Sequence, residues 1–173
     1  VELYDFGVAE DGTLYYVMEL LCGLDLSLLV ERFGPLPPER VTYLLLQICD
    51  SLEEAHRAGL VHRDIKPANV FVSRRADHFD WIKVLDFGLV RPSEATTRDK
   101  DAVALTGTGQ IAGTPAFLAP EAALGQGELD GRADLYALGC LAYFALTGAL
   151  LFEADSPMAM AVQQVTAQPK PPP

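Results

Sequence analysis

The chain has 173 residues, half of them hydrophobic, which suffices for one domain with a sizeable core and excludes disorder as a global description. Its 24 acidic residues outnumber 13 basic ones, giving a net charge of −11 at neutral pH. That balance argues against a nucleic-acid or anionic-membrane surface, either of which needs clustered Lys and Arg.

In chain order, Glu2 to Val8 and Leu14 to Glu19 read as two strands joined by a short acidic turn at Gly12. The second strand runs into Leu20-Leu21-Cys22-Gly23. Leu26 to Phe33 makes a short amphipathic helix ended by Gly34 and Pro35, with Asp25 able to cap its start. Pro37-Pro38-Glu39 then opens a long helix to about Ala58, with Gly59 as its C-cap. Val41, Leu44, Leu45, Ile48, Leu52 and Ala55 recur along it at helical spacing, so one stripe faces a core.

This helix delivers the chain to His62-Arg63-Asp64-Ile65-Lys66-Pro67-Ala68-Asn69, which runs into an apolar strand, Val70-Phe71-Val72. A second strand, Ile82-Lys83-Val84-Leu85, closes on Asp86-Phe87-Gly88. Between them Ser73 to Trp81 reads as a hairpin turn with Arg74, Arg75 and His78 solvated at its tip. From Asp86 to Ala119-Pro120-Glu121 the chain is poor in pattern and rich in Thr and Gly. A patternless stretch this long inside a compact domain is normally functional.

Leu135 to Phe152 is 18 residues without a charge, which on hydropathy alone raises a membrane span. Gly148 stops the helix near Thr147, however, leaving about 14 residues, too short to span and apolar all round as a buried helix is. Asp134, at the start and preceded by Arg132, is expected to cap backbone groups. Ser156 to Val165 reads as a last short helix with Ser156 as N-cap and Pro157 at its first position, followed by an extended tail, Pro169 to Pro173. Cys22, Cys49 and Cys140 lie far apart among apolar neighbours, with no second Cys or His at metal-ligand spacing. Buried, reduced thiols and a cytoplasmic compartment are the expectation.

An Asp-Phe-Gly alone is usually a turn, and a His-Arg-Asp alone a solvated loop. Together, the loop around Asp64, the triplet at Asp86 and the triplet at Ala119, in this order and spacing, resemble the catalytic half of a eukaryotic-like serine/threonine protein kinase of the kind also common in bacteria. The chemistry of phosphoryl transfer fits. It asks for metal ions on the phosphates, a group to orient the attacking hydroxyl, and fixed geometry. A carboxylate and an amide oxygen, Asp86 and Asn69, suit magnesium.

The resemblance covers essentially the whole chain. It implies an α+β, protein-kinase-like fold with a mainly helical C-terminal lobe and short β hairpins. Residues 1–22 would be the end of the small lobe and the hinge, and residues 23–173 the large lobe, truncated before its last helices. It makes Asp64 the catalytic base, Lys66 the catalytic-loop lysine, and Asn69 and Asp86 the metal ligands, with ATP and Mg2+ (or Mn2+) as cofactors. Met18 would be the gatekeeper, and the backbone from Glu19 to Leu21 would bind adenine, with Asp25 reaching the ribose. Read plainly, Met18 in a strand is core and Asp25 is a helix cap.

Thr114, in Gly113-Thr114-Pro115, would hydrogen-bond Asp64 and Lys66 beside the acceptor residue, which with Lys66 favours Ser/Thr over Tyr. Thr96, Thr97, Thr106 and Thr108 are candidate phosphorylation sites, with Arg63 as phosphate partner and Thr106 and Thr108 preferred. His62 is expected to be structural, and Asp134 to anchor the catalytic loop. The partners implied are protein substrates with Ser or Thr and a homodimer for trans-autophosphorylation, with no nucleic acid and no membrane contact within this segment.

The departures lie at the ends. No Gly-rich phosphate loop, strand lysine or helix glutamate stands upstream, and the helices that carry an arginine for Glu121 do not follow. The chain alone is therefore expected to be marginally stable and inactive, while the full gene product is an active kinase. Two other readings compete: a kinase-like scaffold without catalysis, and a small-molecule phosphotransferase of related fold. The first is opposed by the presence of Asp64, Lys66, Asn69 and Asp86, the second by the Ala-Pro-Glu segment and the long threonine-bearing loop.

Overall fold

The computed structural model describes residues 1–75, 77–86, 115–125, 127 and 129–172. The chain opens with an antiparallel pair, β1 (Leu3–Val8) and β2 (Leu14–Met18), with Val8 opposite Leu14. The turn follows from its residues. Gly12 takes φ 86°, a left-handed conformation that glycine adopts without strain, and the Asp11 carboxylate accepts the Thr13 N–H at 2.9 Å. Apolar side chains on this ribbon stay exposed, Phe6 at 71% and Tyr16 at 61%. Met18 is half exposed as well, so the plain core reading does not hold for it among the described residues.

The second sheet has the order β3-β4-β5, all antiparallel: β3 (Gly23–Asp25), β4 (Val70–Arg75) and β5 (His78–Val84). Gly23 is required where β3 crosses β4, because a Cβ there would lie 2.2 Å from the Val72 carbonyl oxygen. The strands run further into the hairpin than the sequence suggests, to a pairing of Arg75 with His78. Nor is the tip merely solvated. The Arg74 guanidinium lies over the Phe79 ring, 4.8 Å from its centroid, and Asp80 is held by two bonds from Arg40 at 2.7 and 2.8 Å. His78 is exposed, as expected.

The helices follow their caps. In α1 (Leu26–Phe33) Asp25 accepts the Leu28 N–H at 2.9 Å and Gly34 terminates the helix at φ 81°. The long helix α2 (Pro38–Arg57) places proline at its first turn, where no N–H is needed. Its stripe Val41, Leu44, Ile48, Leu52 and Ala55 is buried, and Leu45 packs at the edge. This stripe meets β5 on one side and α4 (Gly131–Thr147) on the other. Ile48 and Leu52 are completely enclosed there, each contributing about 1.5–3 kcal/mol by burial. A short helix α3 (Pro120–Ala123) and α5 (Pro157–Thr166), capped by Ser156 through the Ala159 N–H at 3.1 Å, complete the described fold.

Three expectations are corrected. The N-cap of α4 is Asp130, which accepts the Arg132 N–H at 2.9 Å, so the helix starts earlier and runs 17 residues to Gly148. It is not buried all round either: Leu135 is 56% exposed, while Ala137, Leu138 and Leu141 face inward. Of the cysteines only Cys140 is buried, and Cys22 and Cys49 are exposed. An apolar neighbourhood in sequence does not fix the side of a helix or loop on which a thiol emerges. Among the described residues no helix is long and apolar enough to cross a membrane.

Candidate active site

Two elements build the site: the loop from His62 to Asn69, and the end of β5. The loop is suspended from α4. Asp134, in that helix's first turn and 1% exposed, accepts the backbone N–H of His62 at 2.9 Å and of Arg63 at 2.7 Å, and bonds His56 Nε2 at 2.7 Å. Three donors satisfy the buried carboxylate. Gly131 lets α4 approach this closely, since a Cβ there would come within 2.7 Å of the His56 ring. The two amide bonds hold Arg63 at φ 64°, a conformation that costs a non-glycine residue about 1–2 kcal/mol.

His62 is enclosed and structural, as expected. Its Nε2 bonds the Leu85 carbonyl at 2.8 Å, and its Nδ1 accepts the Asp64 N–H at 3.3 Å. The Leu85 N–H donates to the Asn69 carbonyl at 2.8 Å. Loop residues therefore grip both backbone groups of Leu85. Asp86 follows at once, exposed and at φ 62°, a second strained backbone position beside the loop. Asp86 and Asn69 are thus brought together by one backbone clamp.

Within the loop, Asp64 Oδ2 receives Lys66 Nζ at 2.7 Å and Asn69 Nδ2 at 2.9 Å. Asn69 Nδ2 also reaches the Asp64 carbonyl at 2.8 Å. With Oδ2 committed to two donors, Oδ1 of Asp64 has no donor among the described residues and can accept a hydroxyl. With its nitrogen committed, Asn69 keeps Oδ1 without a donor among the described residues. That oxygen and the Asp86 carboxylate are hard ligands of the kind magnesium prefers. The turn Pro67–Asn69, tied by the Asn69 N–H to the Lys66 carbonyl at 2.9 Å, fixes the spacing.

Glu19 and Leu21 lie in the connection between β2 and β3, both partly buried. The Glu19 carboxylate accepts Lys83 Nζ and the Glu2 N–H, each at 2.8 Å. Lys83, first, and the Glu2 amide hold its pKa below the usual carboxylate value. The pair joins the connection to β5 and thus to the site. Asp25 caps α1, the plainer of its two readings, and its backbone pairs with Phe71, directly after the loop. Thr114, Phe87, Gly88, Thr96, Thr97, Thr106 and Thr108 lie outside the described residues. Arg63 is exposed, and its guanidinium has no partner among the described residues. Glu121 is half buried and likewise has neither a hydrogen bond nor an ion pair among them.

Three supporting residues were not singled out from the sequence. His56 closes a helix with no local signal of its bond to Asp134. Lys83 interrupts an apolar strand, which does mark it as paired or solvated. Gln164 is a buried amide in a mainly apolar helix. Its Nε2 donates to the carbonyls of Ala116 at 2.7 Å and Pro115 at 3.2 Å, and its Oε1 accepts the Tyr136 hydroxyl.

The family model "protein kinase domain" matches residues 1–171. The chain is 42% identical over 172 residues to serine/threonine-protein kinase pkn3 of Myxococcus xanthus, covering 99% of this chain and 31% of that protein. It is 45% identical over 159 residues to serine/threonine-protein kinase Pkn1 of the same organism, covering 92% and 21%. Serine/threonine-protein kinase PknB of Mycolicibacterium smegmatis is 39% identical over 175 residues, covering 99% and 26%. The chain thus spans between 21% and 31% of the length of these curated relatives.

Proposed function

We propose, because this chain belongs to the protein kinase domain family, that the full-length protein transfers the γ-phosphoryl group of ATP to Ser or Thr hydroxyls of proteins. The observation that carries this reading is the arrangement at Asp64. One carboxylate oxygen is fixed by Lys66 and Asn69 while the other is open, and the Leu85 clamp sets Asp86 beside the same loop.

In this reading Asp64 Oδ1 orients the acceptor hydroxyl and takes its proton as the new phosphorus–oxygen bond forms and the bond from the γ-phosphorus to the bridging oxygen breaks, ADP leaving. Lys66, 2.7 Å from the other oxygen, fixes the carboxylate's orientation and presents positive charge toward the transferred group. Asn69 Oδ1 and Asp86 would hold Mg2+ or Mn2+, which when bound neutralises phosphate charge. The connection from Glu19 to Leu21 would bind adenine beside Met18. Asp25, with one oxygen on the Leu28 N–H, keeps a second for the ribose. Thr114 would complete the acceptor side, and Arg63 would take a phosphate from the threonines of the segment before it. The family relation supports these roles; each stands or falls by mutation.

The test is transfer of labelled phosphate from ATP by the full-length protein, with and without Asp64→Asn. Loss of a positioned acid–base group costs about 10²–10⁴-fold in rate. Retention of the wild-type rate by Asp64→Asn would remove Asp64 from the chemistry.

A further inference from the structure

Beside Lys66 the surface holds a concavity of about 160 Å³ whose other lining residues have none of the roles above. Three elements converge on it. The turn after Lys66 contributes Pro67 and Ala68, the turn Pro115–Phe117 contributes Phe117, and the end of α4 and the loop after it contribute Phe144 and Leu150. Ser27, in the first turn of α1, and Lys66 are its polar members, and among the described residues no carboxylate lines it. The walls are anchored: Pro67 and Phe117 are buried, and Phe144 and Leu150 pack against the main core. A hollow of this size and lining accommodates one ring or branched aliphatic side chain, since a comparable apolar cavity of about 150 Å³ takes benzene.

We propose that this concavity is a subsite for an apolar side chain of the acceptor protein, so that the sequences phosphorylated carry Leu, Met or Phe at one fixed position near the target Ser or Thr. The proposal rests on the reading of Asp64 and Lys66 as the groups that face the acceptor hydroxyl. Lys66 belongs to both places, so a chain with its hydroxyl at Asp64 passes the hollow within a few residues. An arginine or lysine of the substrate is disfavoured there. Its charge would lose water against Phe117, Phe144 and Leu150, meet the Lys66 ammonium, and find no carboxylate in return. A glutamate would lose water against the same apolar walls and meet only an ammonium already shared with Asp64. An apolar side chain gains from the same walls.

The experiment is a positional-scanning peptide library with a central Ser or Thr, phosphorylated by the full-length protein. The expected profile favours Leu, Met or Phe over Arg and Glu by at least about 10-fold in kcat/KM at one position, in the range apolar pockets discriminate. Ala68 is exposed, so Ala68→Glu adds a carboxylate at the hollow without disturbing the core, and it is expected to exchange the apolar preference for Arg at that same position. Leu150→Ala, which widens the hollow, is expected to move the preference toward Phe and Trp. A flat profile, a wild-type preference for Arg, or an apolar preference unchanged in both variants overturns the subsite and leaves the kinase reading standing. Failure to phosphorylate any peptide or protein overturns that reading, and the subsite with it.

Discussion

The carboxylate of Asp134 accepts the His62 amide at 2.9 Å, and through this contact the central helix α4 carries the loop that bears Asp64. The same carboxylate takes the Arg63 amide and His56, so its removal strands three donors at once. Asp134→Ala is expected to cost about 3 kcal/mol or more, because unsatisfied buried donors lose about 1–3 kcal/mol each. Asp134→Asn keeps one accepting oxygen and is expected to cost about half as much. Urea midpoints of the full-length protein measure both. Rates of phosphoryl transfer should fall in the same order, since Arg63 holds φ 64° only while these bonds exist. An Asp134→Ala protein with an unchanged midpoint would show that the loop does not hang from α4.

Gln164 offers a second suspension point, on the other side of the site. Its amide joins α4, through Tyr136, to the carbonyls of Pro115 and Ala116, next to the turn that supplies Phe117. Gln164→Leu keeps the volume and removes the bonds. The expected result is a rise of about 5–20-fold in KM for the protein acceptor with little change in KM for ATP, about 1–2 kcal/mol of positioning from the loss of these three bonds. Tyr136→Phe, which leaves the two carbonyl bonds in place, should have a smaller effect. Equal changes in both KM values would mean that the fold as a whole has loosened.

Much of this molecule was readable from local chemistry. Caps and periodicity placed α1 and α5 within a residue of their observed limits, because Asp25, Gly34 and Ser156 act on the helices that adjoin them in sequence. The loop from His62 to Asn69 was legible for another reason: with the triplets at Asp86 and Ala119, in that order and spacing, it resembles the catalytic half of a protein kinase. What could not be read was whatever depends on contacts distant in sequence. Local chemistry made Asp134 a cap of its own helix, and only the family resemblance pointed to the loop; the cap is Asp130, and Asp134 serves His62 and Arg63. Cys22 and Cys49 sit in apolar company yet emerge at the surface. The clamp on Leu85 uses backbone groups, which carry no sequence signature at all.

The ion pair of Lys83 with Glu19 is partly solvated, with the two side chains 29% and 22% exposed, so its removal should change stability little. Its position gives it a different consequence. Glu19 is held both by β5 and by the Glu2 amide, and the adjoining backbone is the proposed adenine site. Lys83→Met is therefore expected to raise KM for ATP about 3–10-fold at nearly constant kcat. Lys83→Arg should restore most of it. A nucleotide KM that stays at the wild-type value in Lys83→Met would show that the pair does not shape the nucleotide site.

Cys140 sets a pH dependence of stability. It is 2% exposed on α4, and burial first of all pushes its thiol up to about 11 from the 9.0 of a free cysteine, although bonds from Tyr136 and its own backbone act downward. Burial, then the neighbouring Cys140, raises the Tyr136 hydroxyl too. Both groups are thus held protonated in the fold and released on unfolding. The contribution of Cys140 is fully present below pH 9, the unfolded value, and is lost as pH rises through about 11. A two-unit difference corresponds to about 3 kcal/mol. Urea unfolding of the full-length protein at pH 8 and at pH 10.5 should therefore show a loss of about 2 kcal/mol from this residue, and Cys140→Ala should show a correspondingly smaller difference between the two pH values. Below pH 9 the same burial keeps the thiol protonated, so alkylation by iodoacetamide should modify the exposed Cys22 and spare Cys140 until the fold opens. Equal pH sensitivity in wild type and Cys140→Ala, or rapid alkylation of Cys140 in the native protein, would mean that α4 does not enclose this thiol in solution.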